Sequence, residues 1–495
     1  MEISGEMTPA KSSDAASTPS VPRYSFYALG ILSLVNFLNY IDRQVLPAVA
    51  PVMLKDAELN LTDAELGYME AALLLSFTVL APLFGRLGDR YPRAKLMASA
   101  AVIWSIATAV TGFVDRLPFL PSSLNLQLPL VNATIMLSGA ALALCLVRAA
   151  VGVGESAYST ITPSLIADYF PPQRRATALG VFQAAIPMGF ALGFVIGGVL
   201  AHFFGWRVAF MIVGVPGLIT AAMVWRLKEP VRGATDEPHA DADADAQTAL
   251  EEIAESPSET SRALVERQQG ESSWKSAWRI LRTRDWLIST IGYTALTFAL
   301  GAFATWATVL LVRDKGMSET SAAITLGVVV LLAGAAGTFG GGWLADRVAA
   351  KRQNAYFLVC AVSTLLGILP TIVGLVAVDA RIFLPAIFIS VTMLFISNAP
   401  FHAILLESVP THVRAMAVAL NIVVIHTFGD AISRAAVGLL SDSLKTGGFR
   451  TLAALANAVG IDASRQHLST ALLITPFALL VSTIFFFWGA RGAKR

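Results

Sequence analysis

Two ionisable residues, Arg148 and Glu155, stand inside an apolar run from Ala133 to Ile166. Seven residues make two helical turns, so Arg148, Gly152 and Glu155 share one face. A charge at mid-bilayer costs at least about 2.5–3.5 kcal/mol, so such residues pair with one another or line a pathway. A second apolar run carries Asp42 and Arg43, which as neighbours point about 100° apart and cannot both face one partner. There Asn36, Asn39 and Arg43 form a polar stripe at i, i+3, i+7. At about 1.5 Å per residue from the outer helix ends, Asp42 lies roughly 15 Å in, Arg148 about 22 Å and Glu155 about 33 Å. That order predicts an Asp42–Arg148 contact, with Glu155 nearer the cytoplasm. A buried carboxylate keeps or gives up a proton according to how near an arginine lies. Helix motions that change the Glu155–arginine distance would therefore load or release one. The bland alternative is a permanent ion-pair cluster that only pins two helices together.

A third stripe, His426, Asp430 and Arg434, runs at i, i+4 steps with Asn421 one face over. The Arg434 fork suits a phosphate or carboxylate head group; the competing reading is an internal Asp430–Arg434 pair. His402 has the chemistry to titrate near neutral pH, although a lone histidine there is more often a packing residue. No His/Cys cluster suggests a metal, and Ser156 has no evident histidine partner for catalysis. Gly152-Val-Gly154 lacks the strand and third glycine of a dinucleotide fingerprint, and no G-x-x-x-x-G-K-[ST] occurs. No enzyme activity, metal or cofactor is expected.

These residues need long apolar elements to hold them, and the composition supplies them. Of 495 residues, 55% are hydrophobic and 14% charged, with a mean hydropathy of +0.64. That much apolar surface suits a membrane protein. A net charge of +2 gives no case for nucleic acid. Cys145 and Cys360, both in apolar runs, allow no disulfide framework.

Because about 20 apolar residues span a bilayer, the sequence predicts an all-α integral membrane protein of twelve spans. They fall near 26–52, 66–88, 94–114, 132–168, 175–203, 207–228, 286–311, 319–346, 353–378, 382–407, 413–442 and 469–490. Residues 1–25 read as a disordered tail without a signal-peptide cleavage site, 26–228 as one six-helix bundle and 286–490 as a second. Between them, 229–285 reads as a linker, polar and disordered to Ser273, with an interfacial amphipathic helix at 274–284; 491–495 is a short tail. The side bearing both tails holds 24 Lys/Arg against 9 opposite, or 15 against 9 without the linker. Both termini are therefore expected in the cytoplasm.

The two halves repeat each other. Gly85-Arg-Leu-Gly-Asp89-Arg90 after span 2 and Gly342-Trp-Leu-Ala-Asp346-Arg347 after span 8 both fit G-x-L-x-D-R. Pro171 to Ala178 and Pro410 to Ala417, after spans 4 and 10, both fit P-x-x-x-R-A-x-A. Two signatures at matching places indicate a duplicated six-helix unit, the plan of one large transporter fold.

On these motifs, and on Gly205-Trp206-Arg207-Val208-Ala209-Phe210 before span 6, the chain resembles the major facilitator superfamily over about residues 26–490. Within it, Asn39-Tyr40-Ile41-Asp42-Arg43 and Thr162-Pro163-Ser164-Leu165-Ile166-Ala167-Asp168 are similar to the spinster family. Span 5 has the ladder Gly189, Gly193 and Gly197 but lacks the G-P-x-x-G-G of drug antiporters. The resemblance implies a bacterial-type transporter in an inner membrane, working as a monomer by alternating access. Its implied cargo is a lysophospholipid or sphingosine phosphate, moved with protons through Asp42, Arg43, Arg148 and Glu155. Asp89, Arg90, Asp346 and Arg347 would then latch the halves in the outward-facing state, with Gly85 and Gly342 allowing close helix approach. The expected cargo contacts are Asn39, Arg148, Tyr158, Asn421, His426, Asp430 and Arg434; aromatics such as Phe37, Tyr40, Phe298, Phe303, Trp306 and Phe401 suit an acyl-chain cavity, although for any single one facing lipid or another helix is the commoner outcome. A small organic anion or drug-like cargo, or a non-transporting membrane sensor on the same fold, are the alternatives; intact charges in both loop motifs weigh against the sensor. Fold alone does not fix cargo.

Overall fold

The computed structural model describes residues 21–114, 123–128, 133–232, 273–352, 354–410 and 413–492. The disordered tails and linker expected from the sequence fall largely outside them. Among the described residues, eleven helical stretches are long and apolar enough to cross a membrane. One of them, Pro172–Trp225, is two spans joined at Gly205, whose φ of 80° and ψ of 161° break the helix. Spans 5 (172–204) and 6 (206–225) bring the total to twelve.

Helix starts follow local chemistry. Span 2 (Asp63–Arg90) opens with a capping box in which the Thr62 side chain accepts from the Glu65 amide and Glu65 accepts from the Thr62 amide. Span 4 begins at Gly139, capped by Ser138, rather than at 132. Residues 133–138 are instead a strand, β2 (Ala133–Ser138), paired antiparallel with β1 (Ser123–Leu128). Hydropathy alone could not separate that apolar strand from the helix behind it. A helix stands at Ser273–Leu281, where the sequence suggested one at 274–284, and ends before span 7 (Arg284–Arg313). Span 10 is broken at Ser397. Span 11 contains a π-helical turn, Ile425–Ala431, between Arg414–Val424 and Ile432–Lys445. A short helix, Arg450–Ala458, precedes span 12 and was not expected.

The two bundles pack by the same rules. In the first, the span 5 glycines let span 1 approach closely: a Cβ on Gly189 or Gly193 would meet the Phe37 or Ile41 carbonyl at 2.5 or 2.6 Å. The halves meet through span 2 on span 11 and span 5 on span 8. Exchanging equivalent spans of the two halves (2 for 8, 11 for 5) turns one pair into the other, as a duplicated unit requires. Gly85 and Gly342 do not make the expected close approach, since an added Cβ would find its nearest atom at an ordinary 3.7 or 3.6 Å. The tight crossing belongs to Gly341, where a Cβ would meet the Ile396 carbonyl at 2.2 Å.

Candidate functional site

A cavity of about 380 Å³ lies between the halves. Phe190, Phe194, Leu300, Phe303 and Phe395 make much of its wall apolar. Its polar lining comes from both bundles: Arg43, Glu70 and Arg148 from the first, His426, Asp430 and Arg434 from the second.

The charges are paired in a pattern that the depth argument did not foresee. Arg43 Nε donates to Glu155 Oε2 at 2.5 Å, with its guanidinium 4.9 Å from the Phe77 ring centre and 5.4 Å from that of Tyr40. Asp42 faces span 3 and accepts from the Thr108 hydroxyl. Arg148 donates to Glu70 Oε1 at 3.1 Å, and Arg434 donates to Glu70 Oε2 from the opposite half. The expected Asp42–Arg148 contact is thus replaced by Arg43–Glu155. Counting residues orders groups along an axis but does not say which neighbour each face meets, and spans 2 and 3 supplied nearer partners. Glu70, missed in the sequence, is the hub. It sits two turns inside span 2, in the apolar stretch Tyr68–Leu75, and a carboxylate there was the available signal.

Span 11 shows the same re-pairing. His426 Nδ1 and Asp430 Oδ2 lie 2.8 Å apart within the π turn, so Asp430 is not paired internally with Arg434. Gly301 admits that turn: a Cβ there would sit 2.8 Å from the Asp430 Cα. π turns of this kind are frequent at functional sites. Span 7 steadies Arg434 through Thr305, which accepts from Nη1 at 3.0 Å, and Trp306, whose indole donates to the Arg434 carbonyl at 3.0 Å.

Three residues expected at the cargo lie elsewhere. Asn39 is buried on span 1; Tyr158 donates its hydroxyl to the Leu32 carbonyl; Asn421 donates to Thr290 at 3.1 Å. None lines the cavity. Tyr158 was read by residue type, but its ring packs among Trp104 and Phe182 in the first bundle's core. Glu155 and Asp42 stand behind the cavity wall, in reach of Arg43 and Arg148.

The family model described as Major Facilitator Superfamily matches residues 32–434. Protein spinster homolog 1 of Homo sapiens is 30% identical over 441 residues, covering 86% of this chain and 74% of the human protein. The chain belongs to the spinster family. The sphingosine-1-phosphate transporter SPNS2 of Danio rerio is 29% identical over 484 residues, covering 94% of this chain and 84% of the relative. Protein spinster of Drosophila melanogaster is 28% identical over 441 residues, and the match spans 63% of that protein's length. Among solved structures, a bacterial homolog to the human lysosomal transporter Spinster, inward-facing and unoccupied, has a TM-score of 0.75 at 20% identity. The match covers 95% of this chain and 98% of that one. A D-xylose–proton symporter has a TM-score of 0.63 at 16% identity, covering 92% and 97%. The chain is therefore a multi-pass transporter of the major facilitator fold rather than an enzyme.

In this spinster-family chain the halves are sealed at the end away from the termini. Asp63, 1% exposed, accepts two bonds from Arg313 at 2.7 and 2.9 Å, one from Ser441 at 2.7 Å and pairs with Lys445 at 2.8 Å. Asp442 accepts from the Ala64 amide at 2.7 Å, placing an anion at the positive start of span 2. Lys55 pairs with Glu319 at 2.7 Å. Beside this seal, Trp206 and Arg207 of the Gly205 motif clasp Asp56 at 2.8 and 2.7 Å. Burial pushes the Asp56 carboxyl up, but those bonds and the Glu58 amide outweigh it and hold it below the usual carboxylate range.

At the other end the G-x-L-x-D-R residues Asp89, Arg90, Asp346 and Arg347 are exposed. The Gly88 and Asp89 carbonyls accept from Arg232 of the same half, and the Arg347 guanidinium lies 5.3 Å from the Trp343 ring centre. Arg93 ties the ends of spans 3, 4 and 6 together through Asp168 at 2.6 Å and Glu229 at 2.8 Å.

Proposed function

We propose that this transporter moves an amphipathic anion with a phosphate-type head, a lysophospholipid or sphingosine phosphate, by proton-coupled alternating access. The observation that carries the reading is the cavity itself: Arg148 and Arg434, one from each half, stand with Arg43, Glu70, His426 and Asp430 in a space whose remaining wall is mostly aromatic and aliphatic. Guanidinium forks match phosphate oxygens, and the phenylalanines accept a tail. With the termini in the cytoplasm, the seal at Asp63 supports an inward-facing state.

Charge balance supports proton coupling. In and behind the cavity, four carboxylates (Asp42, Glu70, Glu155, Asp430) stand against three guanidiniums (Arg43, Arg148, Arg434). Unless His426, 2.8 Å from Asp430, carries a proton, full ionisation leaves one buried negative charge uncompensated, which is costly in low dielectric; one proton closes the balance. Asp42 Oδ1 and Glu155 Oε1 are buried without a hydrogen-bond partner and are the natural places for it. The gating motif residues Asp89, Arg90, Asp346 and Arg347 would then engage across the halves only when the Asp63 end opens.

The test is uptake by proteoliposomes of a fluorescent lysophosphatidate and of a neutral monoacylglycerol with the same tail. Uptake of the first alone, lost in Arg434→Gln, supports the reading. Equal uptake of both, or none of either by folded protein, counts against it, and small organic anions become the cargo to try.

A further inference from the structure

Glu70 occupies the place where the cargo's anion belongs. Its carboxylate, 3% exposed, accepts from Arg148 of its own half and from Arg434 of the other. A residue that served only to join the halves would be expected to saturate its partners. Here Arg148 Nε and Nη1 and Arg434 Nε are buried with no hydrogen-bond partner. Donors therefore remain for an anion with more oxygens than a carboxylate. We propose that Glu70 is a tethered surrogate for the cargo head group, which the cargo must displace from between Arg148 and Arg434.

The selectivity follows from charge and tethering. A free monocarboxylate brings one negative charge and two oxygens, as Glu70 does, but loses translational freedom that Glu70 has already given up. It gains nothing by exchange. A phosphate monoester brings a charge of about −1.5 to −2 and three strong acceptor oxygens, so it both neutralises the two guanidiniums better and reaches the idle donors. Glu70 thereby admits phosphate-headed lipids and rejects fatty acids. Its displacement also cuts a bond between the halves, so cargo binding loosens the join that holds the present state.

This inference rests on the anionic-lipid reading above, and the experiment separates the two. Binding of oleoyl lysophosphatidate, oleate and inorganic phosphate is measured by titration calorimetry on the full chain in nanodiscs, comparing wild type, Glu70→Gln and the double variant Glu70→Gln with Arg434→Gln. Wild type should prefer lysophosphatidate to oleate. Glu70→Gln should tighten binding of both, oleate the more, by about tenfold or above, the scale of one charge-assisted bond. The double variant, which also removes the Arg434 cation that Glu70 held, should lose that gain. Lipid binding that is unchanged or weaker in Glu70→Gln overturns the surrogate role and leaves the lipid cargo standing. Phosphate bound more tightly by Glu70→Gln, with neither lipid bound by any form, supports the surrogate role and overturns the lipid cargo. No anion bound by folded Glu70→Gln overturns both.

Discussion

Replacing Asp63 by Asn should unseal the end of the molecule away from the termini. The carboxylate is buried between the halves and holds Arg313 in a two-bond fork, along with Lys445 and Ser441. Breaking one partner of a buried ion pair costs about 3–5 kcal/mol. The Arg313 and Lys445 side chains are 33% and 40% exposed, however, so they regain water when released and the screened share must be discounted. About 2 kcal/mol of preference for the sealed state remains, and at about 1.4 kcal/mol per tenfold that is roughly a thirtyfold shift. Spin labels at Glu58 and Arg465, exposed loop residues of opposite halves, report the opening by double electron–electron resonance once Cys145 and Cys360 are replaced. Asp63→Asn and Arg313→Gln should each add a longer distance that wild type lacks. A distribution unchanged in both, from folded protein, would refute the idea that this cluster sets the state.

Gly341→Ala should lower the unfolding temperature in detergent sharply, because its Cβ would strike the Ile396 carbonyl, whereas Gly342→Ala should be nearly neutral; equal losses would contradict the crossing geometry. The Asp56 carboxyl, held low in the folded state, contributes stability that is present above about pH 3.9, the unfolded value, and lost as pH falls through the lower folded value. Melting curves at pH 7 and pH 3 should therefore lie closer together in Asp56→Asn than in wild type, and an unchanged gap would exclude the Trp206–Arg207 clasp as the cause.

What the sequence made legible was what repeats or has a fixed spacing. The paired G-x-L-x-D-R loops revealed the duplication, and the apolar ruler found twelve spans because backbone groups in a bilayer leave the chain few options. The polar residues Arg43, Arg148, Asp430 and Arg434 were found by their cost in such runs, and the structure brings all four to one cavity. Their partners were not legible. Which helix faces which is set by the packing of glycine stripes and by breaks such as the π turn at Ile425–Ala431, neither of which hydropathy records. Thr108, the partner of Asp42, is an ordinary polar residue of a helix until span 1 is laid against it. Glu70 escaped because a span at 66–88 leaves it close to a helix end, and the start at Asp63 puts it two turns inside.

We propose that a buried carboxylate behind the cavity couples an anionic lipid to protons. That coupling is tested most directly by lysophosphatidate uptake into proteoliposomes with and without an imposed pH gradient, in wild type and Glu155→Gln. Gradient-driven uptake is expected in wild type, and uptake insensitive to the gradient, or abolished, in the variant, where Arg43 has lost its carboxylate partner. Identical gradient-driven uptake by both proteins would contradict it and reduce Arg43–Glu155 to a pin between spans 1 and 4.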